Sequence, residues 1–449
     1  MREHETIRGY LDAVQAQIRW KQARPVLAQE LERHLEDQRD AFVQDGKSPE
    51  EAEQLATADM GDPVALGMEL DRVHRPKPQW GLLGLTLAIA CTGAVLRVTL
   101  TAGWTDGSIG LAQTVLALSL GSAALLGMYF LDVSRLARYA GIVYLAALVA
   151  GVLASYLSPV QMNVPYYARY VVSLYPVAYT FLLYRLRQKG WKGFILAIAG
   201  ELALGAVCIM IPYLQSFFAL LVIGFVLLLC AVCQDWFNVP RKATLCSVLA
   251  LGAGALAFFV YLWFIRSSKV RLQIALHPEL DPLNRGYMGV QVKKVLNAAQ
   301  WLGEGVLDTS VLPFQRFLPN AATDMLPTTI VYRLGWLPYL LLLAVLAALL
   351  GWLLIRGLKQ THQLGRMLVL AVTLTLGIQA LFSVVLNTGF VFWSAHLPFV
   401  VGNLHTILDM ALVGLTLSVF RGSSILRDEP IPASIPRKRI RIHIRIEYQ

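Results

Sequence analysis

Gln215-Ser-Phe-Phe-Ala-Leu-Leu-Val-Ile-Gly-Phe-Val-Leu-Leu-Leu-Cys-Ala-Val-Cys233 contains no Asp, Glu, Lys or Arg. Wound as a helix, a run of about 20 apolar residues crosses the roughly 30 Å of a bilayer's hydrocarbon, so this stretch reads as a membrane span. The whole chain agrees with it. Of its 449 residues 56% are hydrophobic and 15% charged, and its mean hydropathy is +0.55, far from the balance of soluble domains. Similar stretches begin near Trp80, Ile109, Tyr139, Pro165, Trp191, Ala243, Thr328, Gly365 and Val400. The expectation is an all-α, polytopic membrane protein with about ten transmembrane helices.

The short connections orient these spans, because cytoplasmic loops hold the excess of Lys and Arg. Arg135 and Arg138, then Arg185, Arg187, Lys189 and Lys192, then Arg241 and Lys242, then Arg356, Lys359 and Arg366 fall in every second connection. The stretches from Thr101 to Ser108 and from Ser155 to Tyr166 have neither residue. Both termini are therefore expected in the cytoplasm, and the long segment from residue 266 to 327 on the outer face. That segment is itself basic, but the charge bias counts only over short loops near span ends. The first 75 or so residues have no apolar core of signal-peptide type, so the first span is expected to do the targeting.

Residues 1–78 carry sixteen acidic side chains against eleven Lys and Arg, which leaves about +15 of the net +10 on the remainder. They read as a small cytoplasmic helical domain. Ile7, Tyr10, Leu11, Val14 and Ile18 recur at helical spacing, as do Leu27, Leu31, Leu35 and Phe42. Ser48-Pro-Glu-Glu51 is a helix-starting pattern, and Gly61 ends that helix before Asp62-Pro63 starts another. The stretch from Tyr10 to Pro76 resembles the permease prefix domain of bacterial membrane proteins, which implies a regulatory or interaction role without chemistry. So small a core is expected to lean on the membrane part or on a partner. At the other end, Arg437-Lys-Arg-Ile-Arg-Ile-His-Ile-Arg445 closes a basic cytoplasmic tail over 422–449. Alternating cations and isoleucines suit anionic lipid headgroups better than nucleic acid.

The five cysteines lie in or beside apolar spans and imply no disulfide framework, and Cys230-Ala-Val-Cys233 lacks His or acidic company. His396 has no second ligand at metal spacing, so no metal site is assigned. Arg169, Glu201, Arg333 and Asp409 are the ionisable residues expected inside spans. Each is a functional candidate because intramembrane charge is costly. Arg169 and Glu201, on neighbouring helices by topology, are expected to compensate each other, while His405 and Asp409, one turn apart, either line a polar cavity or satisfy each other.

The long outward segment carries the chemistry. It holds His277-Pro-Glu-Leu-Asp281-Pro-Leu-Asn-Arg-Gly-Tyr287-Met-Gly-Val-Gln291 and ends on Phe317-Leu-Pro-Asn-Ala-Ala-Thr323-Asp324. Connections longer than about 15 residues are usually functional or disordered, and its many apolar residues argue that this one packs. A carboxylate fixed between prolines can serve as a base. Arg271, Arg285, Lys293, Lys294 and Arg316 could offset negative charge, and Tyr287 and Gln291 could offer hydrogen bonds, although Tyr287 could equally pack the loop.

These residues resemble the large outer loop of the FtsW/RodA/SpoVE, or SEDS, family. The match runs from Arg271 through Leu276-His-Pro278, Asp281-Pro282, Gly286-Tyr287 and Gln291 to Gly303-Glu-Gly305. Phe317-Leu-Pro-Asn-Ala-Ala-Thr-Asp324 is similar to that family's Phe-Leu-Pro-Glu-x-His-Thr-Asp signature, with Leu334-Gly335 following. Leu397-Pro-Phe-Val-Val-Gly402 looks like its Leu-Pro-Phe segment before the last span. The resemblance covers about residues 80 to 421 and implies a ten-span membrane domain over 79–421. It also implies a peptidoglycan glycosyltransferase of the bacterial cell membrane, polymerising lipid II beside a class B penicillin-binding protein in cell-wall synthesis, shape or division.

It makes Asp281 the catalytic carboxylate, with Arg271, Arg285, Tyr287, Gln291, Lys293, Lys294, Thr323 and Asp324 as substrate-binding candidates. No cofactor is assigned, though a divalent cation would suit a pyrophosphate substrate. The chain departs from the pattern at Val292, at Asn297-Ala298-Ala299-Gln300 in place of a glycine-rich run, at Asn320 and Ala322, and at Tyr332-Arg333. These departures support two other readings: a catalytically reduced membrane regulator or scaffold, and, from the buried charges, a lipid or solute transporter.

Overall fold

The computed structural model describes residues 7–21, 23–76, 78–102, 111–161, 164–211, 214–265, 268–307 and 313–422. The basic tail and most of the first expected outer loop lie outside them. The chain begins with four amphipathic helices, α1 (Ile7–Gln17), α2 (Arg24–Gln44), α3 (Pro49–Asp59) and α4 (Pro63–His74). Tyr10, Val14, Ile18, Leu27 and Leu35 are buried in a core of their own. The Ser48 side chain accepts the N–H of Glu51, and Asp62 accepts those of Val64 and Ala65, each one residue before a proline at the first helical position. These are the starts that the sequence pattern predicts. Asp71 ties the ends of α1 and α4 together: it accepts the backbone N–H of Arg19 at 2.8 Å and pairs with Arg75 at 3.1 Å. That support holds its carboxyl below the usual range.

The membrane part follows as α5 (Trp80–Leu100), α6 (Leu111–Phe130), α7 (Val133–Arg138), α8 (Ala140–Leu157), α9 (Ala168–Val172), α10 (Tyr175–Arg185), α11 (Gly190–Met210), α12 (Leu214–Cys233) and α13 (Arg241–Ile265). After the long segment come α18 (Trp336–Leu358), α19 (Gln363–Leu386) and α20 (Asn403–Gly422). Eight of these, α5, α6, α8, α11, α12, α18, α19 and α20, are long and apolar enough to cross a membrane among the described residues. The 25 residues of α13 fill the place of the seventh expected span. The only strands among the described residues are two-residue ones, Val160–Gln161 and Val164–Pro165, paired antiparallel.

Two expected spans differ from their sequence reading. The fourth is broken: α9 and α10 meet at Ser173-Leu174, two residues before Pro176. Non-helical backbone at membrane depth is tolerated where it is buried in protein or lines a cavity, and Arg169, Ser173 and Pro176 do line one. The eighth, expected to start near Thr328, starts at Trp336, because Gly335 takes φ +103° and separates it from a short preceding helix. A side chain at Gly335 would also lie 2.5 Å from the carbonyl oxygen of Trp301, so the break requires glycine. Arg333 is consequently not an intramembrane charge. It pairs with Glu304 at 2.6 Å over the rings of Phe314 and Tyr332.

The centre of the bundle is α20, whose residues from Leu412 to Phe420 are all buried. Gly414 lets α20 approach α6, since a Cβ there would sit 2.4 Å from the carbonyl oxygen of Leu125. Small residues at such crossings let van der Waals packing hold helices together where lipid removes the hydrophobic drive. The expected pairing of Arg169 with Glu201 is not formed. Glu201 lies against Gly224 of α12, whereas the Arg169 guanidinium stacks 4.4 Å above Tyr166 and donates to the Tyr170 hydroxyl. Asp409 accepts the N–H of Phe399 at 3.1 Å, so it fixes the turn ahead of α20 and does not pair with His405. His396, expected near the surface, is 3% exposed and stacks on His405 at 3.5 Å.

Candidate functional site

The described residues of the long segment fold back on the membrane part. It comprises α14 (Ser268–Leu276), a 3-10 turn over Pro278–Leu280, α15 (Tyr287–Ala298), α16 (Phe314–Phe317) and α17 (Leu326–Leu334). Val292 and Val295 of α15, Phe314, Leu318, Ala321, Met325 and Tyr332 form a second core with Leu386 and Ala395, which flank the turn between α19 and α20. This core explains the loss of two polar positions of the family pattern. Val292 and Tyr332 are both buried in it. Asn297 and Ala298 simply finish α15, and none of residues 297–300 has positive φ. The missing glycines are therefore not needed by this backbone.

Asn320 takes φ +59° at the head of the turn that leads to Asp324, a conformation that asparagine accepts better than most side chains. Asn387, which sequence reasoning missed, ties that turn to the bundle. Its Oδ1 accepts from the backbone N–H and the hydroxyl of Thr328, at 3.0 and 2.7 Å, and its Nδ2 donates to the carbonyls of Asp324 and Ser383. Nothing in its local sequence separates it from any polar residue ending an apolar helix.

Asp281 sits at the start of a tight turn. Its Oδ1 accepts from the side chain of Asn284 at 3.2 Å, its Oδ2 from the N–H of Arg285 at 3.3 Å, and its carbonyl from the N–H of Gly286 at 2.9 Å. The turn closes on Pro278, whose carbonyl would lie 2.1 Å from any Cβ at Gly286. The carboxylate is thus held by the turn at the foot of α15 and is half-buried. Such a fixed carboxylate can accept a proton from a hydroxyl brought to its open side.

The other candidates divide into two groups. Arg271 donates to the carbonyl of Phe392 at 3.1 Å and stacks on its ring, Lys293 pairs with Glu279 at 2.9 Å and lowers that carboxyl's pKa, and Tyr287 donates to the carbonyl of Phe317. These three hold the segment together. Arg285, Lys294 and Arg316 are exposed, as is Thr323, which donates to the carbonyl of Asn320. Gln291 is 8% exposed and its Oε1 has no hydrogen-bond partner. Asp324 accepts from the hydroxyl of Ser394. Burial pushes its carboxyl up, against the hydrogen bond from Ser394 and the charge of Arg169. The void nearest the broken helix, about 20 Å³, is lined by Arg169, Gln379, His396 and His405 among others, and by neither Asp281 nor Asp324. That volume holds about one water molecule.

A bundle of apolar helices carrying one folded polar segment defines a polytopic helical membrane protein. The FtsW/RodA/SpoVE family model, described as "Cell cycle protein", matches residues 166–424, and the chain belongs to that family. Among curated relatives it is 26% identical over 178 residues to "Probable peptidoglycan glycosyltransferase FtsW" of Trichlorobacter lovleyi, covering 39% of this chain and 46% of that one. It is 28% identical over 248 residues to the protein of the same name from Halorhodospira halophila, covering 51% and 58%. The chain spans about half the length of the curated relatives it matches. Among solved structures, one described as "Structural coordination of polymerization and crosslinking by a peptidoglycan synthase complex" superposes with a TM-score of 0.61 at 21% identity, over 77% of this chain and 98% of that one. The rod-shape-determining protein RodA of Thermus thermophilus gives 0.52 at 18%, over 77% and 97%. These structural likenesses show the shared fold.

Proposed function

We propose that this protein is a peptidoglycan glycosyltransferase that polymerises lipid II, with Asp281 as its base. The observation that carries the reading is the Asp281 turn: a carboxylate held by Asn284, the Arg285 N–H and the Gly286 close approach, in the motif that resembles the family's catalytic one. In the reaction Asp281 takes the proton of the attacking sugar hydroxyl while that oxygen bonds to the anomeric carbon of the donor. The bond from that carbon to the lipid pyrophosphate breaks, and the pyrophosphate leaves with the electron pair. Arg285, Lys294 and Arg316, exposed around the segment, offset the charge that develops on the leaving group. Gln291 and Thr323 offer hydrogen bonds to sugar or peptide. Asp324, the last of the substrate-binding candidates, lies in the turn held by Asn387 and Ser394. A divalent cation bound with the pyrophosphate would supply further charge neutralisation.

The domain plan belongs to the same proposal. Residues 1–78 form a cytoplasmic regulatory domain, 79–421 the membrane domain with the segment 266–327 outside, and 422–449 a tail on anionic lipid. A class B penicillin-binding protein works beside the outer segment.

One observation favours a second reading, a catalytically reduced regulator. Of the five cations expected near the pyrophosphate, Arg271 and Lys293 are engaged with Phe392 and Glu279. The test is polymerisation of lipid II in proteoliposomes with the partner present. Loss of product in Asp281→Asn supports the transferase, and a wild-type protein that makes none supports the regulator.

A further inference from the structure

Arg97 is the least expected charge in the bundle. It lies one turn before the end of α5 and is 5% exposed. Its Nη2 donates to Thr114 Oγ1 at 2.6 Å and to Asn403 Oδ1, while its Nε is buried without a partner. No carboxylate pairs with it among the described residues. Two neutral oxygens leave a full positive charge among apolar helices, an arrangement that is costly unless an anion completes it.

The surroundings say where that anion would come from. Thr114 lies in the first turn of α6 and Asn403 is the first residue of α20, so all three groups sit at the end of the bundle that bears the long segment, about one turn of helix deep. Helices of 21 and 20 residues cover about the hydrocarbon thickness, so groups one turn from their ends lie just inside the headgroup layer. The void beside the guanidinium, about 10 Å³, is walled by Ala90, Ala94 and Ala117. It has room for a single oxygen of an oxyanion whose remaining atoms stay at headgroup level. Val95, Leu111 and Val115 on the same helices are exposed, as side chains that face lipid tails would be.

We infer that Arg97, Thr114 and Asn403 form a phosphate-oxyanion site between α5, α6 and α20, filled by the phosphate of a membrane phospholipid or by soluble phosphate. It is distinct from the segment around Asp281 and does not depend on the activity proposed there. A phosphodiester gives the guanidinium a charged acceptor, which none of the described residues supplies, through charge-assisted hydrogen bonds of the kind arginine favours.

The test uses the full chain, purified in detergent and stripped of lipid. Thermal unfolding is followed after adding dioleoyl phosphatidylglycerol, dioleoyl phosphatidylcholine, dioleoylglycerol or inorganic phosphate at fixed ionic strength, and lipid retention is counted by native mass spectrometry. The wild-type protein should be stabilised by both phospholipids and not by dioleoylglycerol. Arg97→Gln should retain at least about tenfold less phospholipid. Asn403→Asp, which supplies a carboxylate in place of the ligand, should fold and lose the lipid dependence, and it serves as the readout if Arg97→Gln does not fold. Stabilisation by inorganic phosphate alone would assign the site to a soluble oxyanion. Equal retention in wild type and both variants, equal stabilisation by dioleoylglycerol, or no stabilisation by any phosphate source would overturn the inference.

Discussion

At the scale of single residues, two half-buried aspartates of one segment have different partners. Asp281 is half-buried and accepts one hydrogen bond on each carboxylate oxygen. Asp324 is turned inward, where burial favours its neutral form. A carboxyl whose pKa is raised on folding contributes stability below its unfolded pKa, near 4, and that contribution is lost as pH rises through the folded value. Asp324→Asn removes the titration, so the variant should be at least as stable as wild type at pH 8, and its advantage should shrink towards pH 4. Unfolding midpoints in detergent across that range check this; a variant that is less stable at every pH would show that the Asp324 carboxylate is held for its charge. Asp281 was legible in the sequence because it is framed by prolines and followed by Gly286-Tyr287. The roles of Arg271 and Lys293 were not, because a cation's partner across more than a dozen residues depends on packing, while packing of the loop was one of the two readings of Tyr287.

At the scale of elements, the expected helices are present where apolar runs are long, and the departures have local causes. The spacing around Gly335 could not distinguish a span from a short amphipathic helix followed by a span, since Thr328 to Leu334 is as apolar as a span start. Only the close approach of the Trp301 carbonyl shows why the helix must stop there. The fourth span was read as continuous from its apolar run, whereas Pro176, which is tolerated only in a helix's first turn, begins a second helix after a break. Asn387 holds α17 and the Asp324 turn to α19 through three hydrogen bonds. Asn387→Ala should leave the buried N–H of Thr328 unpaired and cost about 1 to 3 kcal/mol. A lowered unfolding temperature, with faster amide exchange confined first to residues 318–334, is the expected result.

At the scale of the whole molecule, the membrane class followed from composition and span length, and family membership agrees with the loop motifs. The four N-terminal helices add a unit with its own core, small enough that a few contacts decide its stability. Asp71 is one of them. Its depressed carboxyl contributes stability above the unfolded pKa near 4, lost as pH falls through the lower folded value. In the full-length protein, proteolysis within α1–α4 should therefore accelerate below about pH 4, and Asp71→Asn should show the accelerated rate already at pH 7. The central claim, that the outer segment performs glycosyl transfer with Asp281 as base, meets its most direct test in the rate of lipid II polymerisation by wild type and Asp281→Asn, reconstituted with the partner and matched for folded protein. A fall of about 10² to 10⁴ in the variant is predicted, and equal rates in the two proteins would contradict the account.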